Sequence, residues 1–347
     1  MTASQPRRSP SPRRRLPTWR VLDLGQCEPV RAVAFAETVA RFVAQGEVPN
    51  TLLFARPSSP CVSVGFHQSA DVELEPEFLR RHRLTVVRRA EGGGTVYLDP
   101  DQLFYQFVYA GTSESLGGPS DFARYLAIPL EAVRSLGLNA ELRPPSDIVV
   151  RGRKISGNAG GEWDGAHIIS GDILGRSDVR AMSEVLRLPH PALRPLLKRE
   201  IAQRLTSWEV ETGQPPDWEM VKRALIEGVS KCELGRPESG TPAEAEEATF
   251  RSETVQRHQS PSWREPPAPS PAPGQPHRKI RVAGPHGILV FDEPTRPGFL
   301  VAVADGSRLV EGYHLDPGPE AEPELLRDDA SSRAELARRL RTDGGFE

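Results

Sequence analysis

Hydrophobic and polar positions alternate along this chain in two periods, and from Trp19 onward the pattern becomes globular. WRVLDL reads as a short strand. VRAVAFAETVARFVAQG carries apolar residues at helical spacing and closes at Gly46. TLLFAR and CVSVGF predict two more strands, EPEFLRRHR a short helix, LTVVRR a strand, and VYLDPDQLFYQFVYA an alternating strand or hairpin. A helix over SDFARYLAIPLEAVRSLG then ends on Gly137. In SDIVVRGRKISGNAGGEWDGAHIISGDIL, three strand-like runs are separated by turns at Arg151-Gly152 and Asp164-Gly165. Helical patterns follow in DVRAMSEVLRL, PALRPLLKREIAQRL and DWEMVKRALIEGVSKCEL.

Antiparallel-looking strands with interspersed helices predict an α/β (α+β) fold, a mixed sheet flanked by helices, without the regular βαβ rhythm of a Rossmann domain. No G-x-G-x-x-G or Walker sequence is present. Residues 265–276, EPPAPSPAPGQP, hold six prolines and form no core, which marks a linker. Beyond it, KIRVAG, GILVFDE and GFLVAVADGSRLVEGYHL read as three or four strands, and SSRAELARRLRTDGG as a closing helix. The expected organisation is a disordered basic arm over 1–17, a main domain over 18–265, a Pro-rich linker over 266–278 and a small α+β domain over 279–347. The arm, with five arginines and no acid, also has the composition of a transit peptide.

Composition narrows the class. A chain of 347 residues with 37% hydrophobic and 26% charged residues has the profile of a globular protein. A net charge of -3 argues against nucleic-acid binding by bulk charge. The three cysteines are far apart and match neither a disulfide framework nor a zinc pattern, which points to a reducing cytoplasm. No run of about eighteen apolar residues is present, so no membrane helix and no membrane partner are expected.

Candidate chemistry begins at Arg88-Arg89-Ala90-Glu91-Gly92-Gly93-Gly94-Thr95-Val96-Tyr97. Bare glycine backbone lets an anion approach main-chain N–H groups, and arginine adds a planar charged fork. An ordinary tight turn uses the same glycines. Roughly sixty residues later stands Gly152-Arg153-Lys154-Ile155-Ser156-Gly157-Asn158-Ala159.

The two runs together resemble the lipoate-protein ligase branch of the biotin/lipoate ligase superfamily, whose patterns are approximately R-R-x-S-G-G-G-x-V-Y-H-D and D-[IL]-V-V-x-G-[KR]-K-I-S-G-[SN]-A. Gln68 stands in the place of the family's G-x-x-Q glutamine. REIAQRLTSWEVE, TPAEAEEA and Pro261-Ser262-Trp263 extend the likeness over residues 18–265.

The resemblance implies a cytoplasmic, monomeric enzyme that uses ATP and Mg2+ to convert lipoate or octanoate into an acyl-adenylate. A lysine of an acceptor lipoyl domain, in a 2-oxoacid dehydrogenase E2 subunit or the glycine cleavage H protein, then takes the acyl group. On the matching positions, Lys154 would bridge the attacking carboxylate and the α-phosphate. Gly92, Gly93 and Gly94 would hold the acyl-adenylate. One of Arg88 and Arg89 would contact phosphate, with the other a salt-bridged scaffold residue. Tyr97 would line the pocket, and Ser156, Gly157 and Asn158 would form the nucleotide-side turn. Asp147 would hold magnesium.

The chain departs from the family at Leu98, where a histidine is frequent, at Gly160-Gly161-Glu162 in place of Q-x-R, and at Ile169-Ser170-Gly171 in place of H-H-G. Acyltransferases of the same superfamily need a cysteine near the lysine motif. The stretch Asn139 to Asp147, NAELRPPSD, holds none, and neither does any position between Cys61 and Cys232. The arginine-rich loop of biotin ligases has no counterpart here. A non-catalytic protein that binds lipoate or lipoyl domains is the third reading.

Overall fold

The computed structural model describes residues 17–111, 119–264, 276, 278–283, 286–292, 298–318, 321–326 and 330–343. Most of the basic arm and of the proline-rich linker lies outside the described residues.

The strands of the first part are β1 (Thr18–Cys27), β2 (Thr51–Pro57), β3 (Cys61–Val64), β4 (Thr85–Arg88), β5 (Val96–Leu98), β6 (Gln102–Ala110), β7 (Ala140–Arg143), β8 (Asp147–Val150), β9 (Arg153–Trp163), β10 (Ala166–Leu174) and β11 (Arg236–Ser239). Eight of them form one sheet in the order β11-β1-β2-β6-β10-β9-β8-β7, and β4-β3-β5 form a small second sheet. The pairs β1/β2 and β1/β11 are parallel, and the rest of the large sheet is antiparallel. A parallel pair needs a crossover, and helix Pro29–Ala44 supplies it between β1 and β2.

Helices cover both faces of the large sheet because its central strands alternate between two cores. Phe54 and Phe107 face one cluster with Trp19, Tyr125, Val133 and Leu225, which brings in helices Pro119–Ser135 and Trp218–Lys231. Their neighbours Leu53 and Val108 face the other cluster, with Phe35, Val39 and Phe250, under helix Pro29–Ala44. Truncating a buried aromatic such as Phe107 costs about 3–5 kcal/mol.

Both turns expected from sequence are present. Arg151-Gly152 and Asp164-Gly165 each place two successive residues at positive φ, 50° and 73° in the first and 48° and 86° in the second, which is the two-residue hairpin geometry. Two strands were not legible. AELR and RPES form β7 and β11 at the two edges of the sheet; AELR alternates over only four residues, with Ala140 and Leu142 toward the core, and RPES has no apolar alternation.

The C-terminal strands are β12 (Arg278–Ala283), β13 (His286–Asp292), β14 (Phe299–Asp305), β15 (Arg308–Leu315) and β16 (Glu324–Leu325), an antiparallel meander. Alternation works here as well. Ile288 and Val290 meet Leu193, Leu197 and Ile201 of helix Leu193–Arg204, while Leu289 and Phe291 meet Leu336 and Leu340 of helix Ala330–Asp343. Helix Leu193–Arg204 therefore docks the second sheet onto the first part of the chain. No helix among the described residues is long and apolar enough to cross a membrane.

Candidate active site

The two sequence motifs meet at their backbones. Gly92 N donates to Gly160 O at 3.3 Å, which joins the glycine run after β4 to the far end of β9. The run is then locked from below. Phe66 N donates to Glu91 O at 2.9 Å, and Gly65 lies so close that a β-carbon there would stand 2.1 Å from Gly93 O. Gly93 itself has φ +90°, a conformation glycine takes at no steric cost.

Arg89 is the brace of this loop. Its buried guanidinium donates to the carbonyls of Gly92 at 2.7 Å and Gly94 at 2.8 Å, and to Ser63 O at 3.2 Å. Burial pushes its pKa down, while the charges of Glu91 and Asp172 oppose that. Arg88 points elsewhere. Its Nε donates to Phe66 O at 2.8 Å, its Nη1 to Trp263 O at 3.0 Å, and its plane stacks on both rings. Trp263 Nε1 returns a bond to Arg88 O at 3.0 Å, so Arg88 ties the 261–264 segment to β4. Among the described residues neither arginine makes a direct ion pair; Arg88 spends its donors on backbone carbonyls, and Arg89 on backbone carbonyls and the Ser63 hydroxyl.

Lys154 sits on β9, next to a bulge. Ser156 pairs with Ile148 and Lys154 with Val149, so Ile155 is the extra residue, and bulges of this kind re-aim a side chain. Its carbonyl accepts from Thr206 N at 2.8 Å, which fixes the strand on the side away from β8. Lys154 Nζ stands 3.2 Å from Asp147 Oδ1, and Asp147 Oδ2 accepts from Arg143 Nη2 at 3.1 Å. A second carboxylate, Asp172 on β10, is buried and accepts from Gly157 N at 3.0 Å. Burial raises Asp172's pKa, and Lys154 pulls it back.

These elements enclose a cleft of about 660 Å³. Arg89, Gly92, Gly93, Gly94, Tyr97, Asp147, Lys154, Gly157 and Asn158 all line it. Arg88 and Ser156 do not: Arg88 is committed to Phe66 and Trp263, and Ser156 is fully buried against Tyr105, 3.0 Å between hydroxyls. Asn158 is held by Tyr105 and donates to Ser146 O at 2.8 Å. Tyr97 is half-buried, and burial raises its phenol to about 12. Leu98, where the family pattern carries histidine, packs with Val33, Cys61 and Val87 in the core. The cleft lining also includes apolar side chains, Phe104, Leu174, Met182, Val185 and Ile201.

Both oxygens of Asp147 already face cations, and no group of three or more His, Cys, Asp or Glu side chains comes together among the described residues. As arranged, Asp147 holds Lys154 on one side and Arg143 on the other.

The chain has relatives among known proteins in sequence and in fold. The model of the lipoyl protein ligase A/B catalytic domain matches residues 28–230. The chain belongs to that family. It is similar to the octanoyltransferase LipM of Halalkalibacterium halodurans, 24% identical over 71% of this chain and 98% of that one. A bi-partite lipoate protein ligase from Thermoplasma acidophilum, solved with its E2 lipoyl domain, has a TM-score of 0.64 at 23% identity, covering 72% of this chain and 96% of that one. A lipoate-protein ligase A bound with ATP has a TM-score of 0.58 at 25% identity, covering 71% and 98%.

None of the three cysteines lines the cleft. Cys61 is fully buried and pushed up to about 12, Cys27 is raised to about 11, and Cys232 is raised as well, in each case chiefly by burial.

Some cleft and supporting residues were not singled out from sequence. Asp172 and Ser170 stand two apart on a strand that is otherwise mostly apolar, so they share one face, and that period was the available signal. Glu37 is an acid within the apolar stripe of helix Pro29–Ala44; its carboxylate accepts from Ala90 N at 3.1 Å and also meets Arg257 and His258. Lys279 and Arg281 come from β12, more than a hundred residues from Lys154, with no local sign of their place.

Proposed function

We propose that this protein is an ATP-dependent lipoate-protein ligase. The observation that carries the reading is a cleft built around Lys154 and the glycine run with no thiol on its wall. An acyltransferase working through a thioester needs a cysteine beside the lysine, and here the acyl group has to be activated in another way.

Lipoate or octanoate would lay its chain against the apolar lining, with its carboxylate at the glycine run. The Lys154 ammonium would lie between that carboxylate and the α-phosphate of ATP, offsetting the charge that builds up as the carboxylate oxygen attacks and pyrophosphate leaves. In the second half-reaction the amine of an acceptor lysine adds to the acyl carbon, the same ammonium faces the oxyanion, and AMP departs. Lipoyl domains of E2 subunits and the glycine cleavage H protein are the proposed acceptors. The E2 lipoyl domain solved with the Thermoplasma ligase supports that choice.

A second reading, transfer of octanoate from an acyl carrier protein, is favoured by the relatives named octanoyltransferase LipM, which align over nearly their whole length. Mass spectrometry of an acceptor lipoyl domain separates the two. The ligase adds a lipoyl mass with free lipoate and ATP, and Lys154→Ala lowers the rate by about 100-fold or more. Modification from octanoyl carrier protein without ATP, and none with free acid and ATP, would sink the ligase reading.

A further inference from the structure

Two places where this chain departs from the family pattern meet in space. Glu91 stands where R-R-x-S-G-G-G has its serine, and Ser170 stands where H-H-G has its second histidine. They are 79 residues apart in sequence, and Ser170 Oγ donates directly to Glu91 Oε1. Both are buried, and Ser170 lines the cleft. The departure is reciprocal: the pattern has a short hydroxyl on the run and a longer polar side chain on β10, and this chain has the reverse.

The pair ends a chain of bonds that begins at helix Pro29–Ala44. Gln106 Nε2 on β6 donates to Val33 O at 3.1 Å and to Ser170 Oγ at 3.2 Å, and Ser170 then donates to Glu91. The same helix takes hold one residue earlier, through Glu37, which accepts from Ala90 N at 3.1 Å. On the β9 side there is no slack, because a β-carbon at Gly161 would stand 3.1 Å from Glu91 Cα and 3.2 Å from Ala90 O. Burial pushes the Glu91 carboxyl up, and the Ser170 bond and the Arg89 charge pull it back. A buried carboxyl is costly without its partner, so Glu91 stays on β10 and Gly92 is held beside it. Two residues beyond Ser170, Asp172 accepts from Gly157 N, so one face of β10 carries both motifs.

We propose that Glu91 is a positioning residue for acyl transfer, acting through Ser170 to fix the glycine run against β10, and that the two positions work as one unit. The proposal goes beyond the choice between ligase and transferase and holds for either acyl source.

The test uses the full chain as Glu91→Ala, Ser170→Ala, the double alanine variant, Glu91→Gln, Ser170→His and the swap Glu91→Ser/Ser170→His. Acyl transfer to a lipoyl domain is measured with lipoate and ATP or with octanoyl carrier protein, whichever the wild type uses. Hydrogen exchange is followed in the peptide spanning the glycine run. Each alanine variant is expected to lower kcat about 10-fold or more, with faster exchange in the run and unchanged exchange in β13 and β14. The double variant should lose no more than the worse single one, because the effects of coupled groups do not add. Glu91→Gln keeps an oxygen for Ser170 and should retain most of the activity, and the swap should exceed Ser170→His alone. Additive losses overturn the proposal, and so does wild-type exchange in the run of Ser170→Ala, which removes a single oxygen. Lost protection throughout the molecule overturns it too, in favour of a purely stabilising pair. A wild type that takes octanoyl carrier protein and not lipoate with ATP defeats the ligase reading, and the same variants still decide this one.

Discussion

The side chain of Lys154 folds back over the α-carbon of Gly157: a β-carbon at Gly157 would stand 2.6 Å from both Cε and Nζ of the lysine. The glycine of the K-I-S-G motif is therefore a seat for the ammonium. The strand would tolerate a side chain at this φ, and the lysine would not.

Gly157→Ala is expected to move the end of Lys154 while leaving the fold in place, since the atoms in the way belong to a flexible side chain. Acyl transfer should fall by about 10–100-fold, the scale on which misplacing a reacting group acts, with the melting temperature little changed. Activity at the wild-type level would show that the ammonium need not occupy this seat. Acceptor modification followed by mass spectrometry, beside a thermal melt, reads both.

Stability should fall as pH rises through the Asp99 titration. Burial raises this carboxyl from 3.8 to about 6, so the native state holds the proton more tightly than the unfolded chain does. That contribution is fully present below about 3.8 and is lost as pH climbs past about 6. Asp99→Asn keeps an oxygen for the bond from Asp101 N, 2.9 Å in the wild type, and removes the charge. The variant is expected to melt a few degrees above wild type near pH 8 and to show no gain near pH 4, by calorimetry across that range. A constant difference at all pH values would remove Asp99 as the cause.

The joint between the two sheets contains a buried polar pair, Glu200 of helix Leu193–Arg204 and His286 of β13, 2.7 Å apart. Burial by itself would raise the Glu200 carboxyl, but the bonds from His286 and Arg199 outweigh it and hold the pKa below 4.5. A depressed carboxyl stabilises above its unfolded pKa, and that stability is lost as pH falls through the folded one. Glu200→Ala should cost about 1–3 kcal/mol by leaving His286 buried without this hydrogen-bond partner, while the more exposed Arg199 keeps Glu311. Limited proteolysis is expected to cut between the two parts sooner in this variant. An unchanged cleavage pattern and melt would show that the apolar contacts alone hold the joint.

Legibility followed range along the chain. Most of the longer helices, the paired hairpin turns and nearly all of the central strands were readable, because apolar periodicity and positive-φ glycines act over a few neighbouring residues. The edge strands β7 and β11 were not: AELR alternates over too few residues to stand out, and the mostly exposed RPES is defined by the partner it pairs with. The three glycines were singled out from their own chemistry and Lys154 and Tyr97 were given roles by a resemblance, and the structure brings them to one cleft. Arg88 and Ser156 belonged to the same motifs and lie off it, one stacked between Phe66 and Trp263 and the other sealed beside Tyr105.

By itself the sequence determined the elements, the family likeness and the residue types on hand for chemistry, including the lack of a cysteine near Lys154. Tertiary structure alone decided which of them face the same space. It turned Arg89 into a brace for the glycine run, placed Asp147 and Asp172 beside Lys154, and carried Lys279 and Arg281 across from the second sheet. The physical reason is that charge and hydrogen bonding act over a few ångströms of space, and long-range packing, here helix Leu193–Arg204 against β12 and β13, sets which distant residues come within that reach.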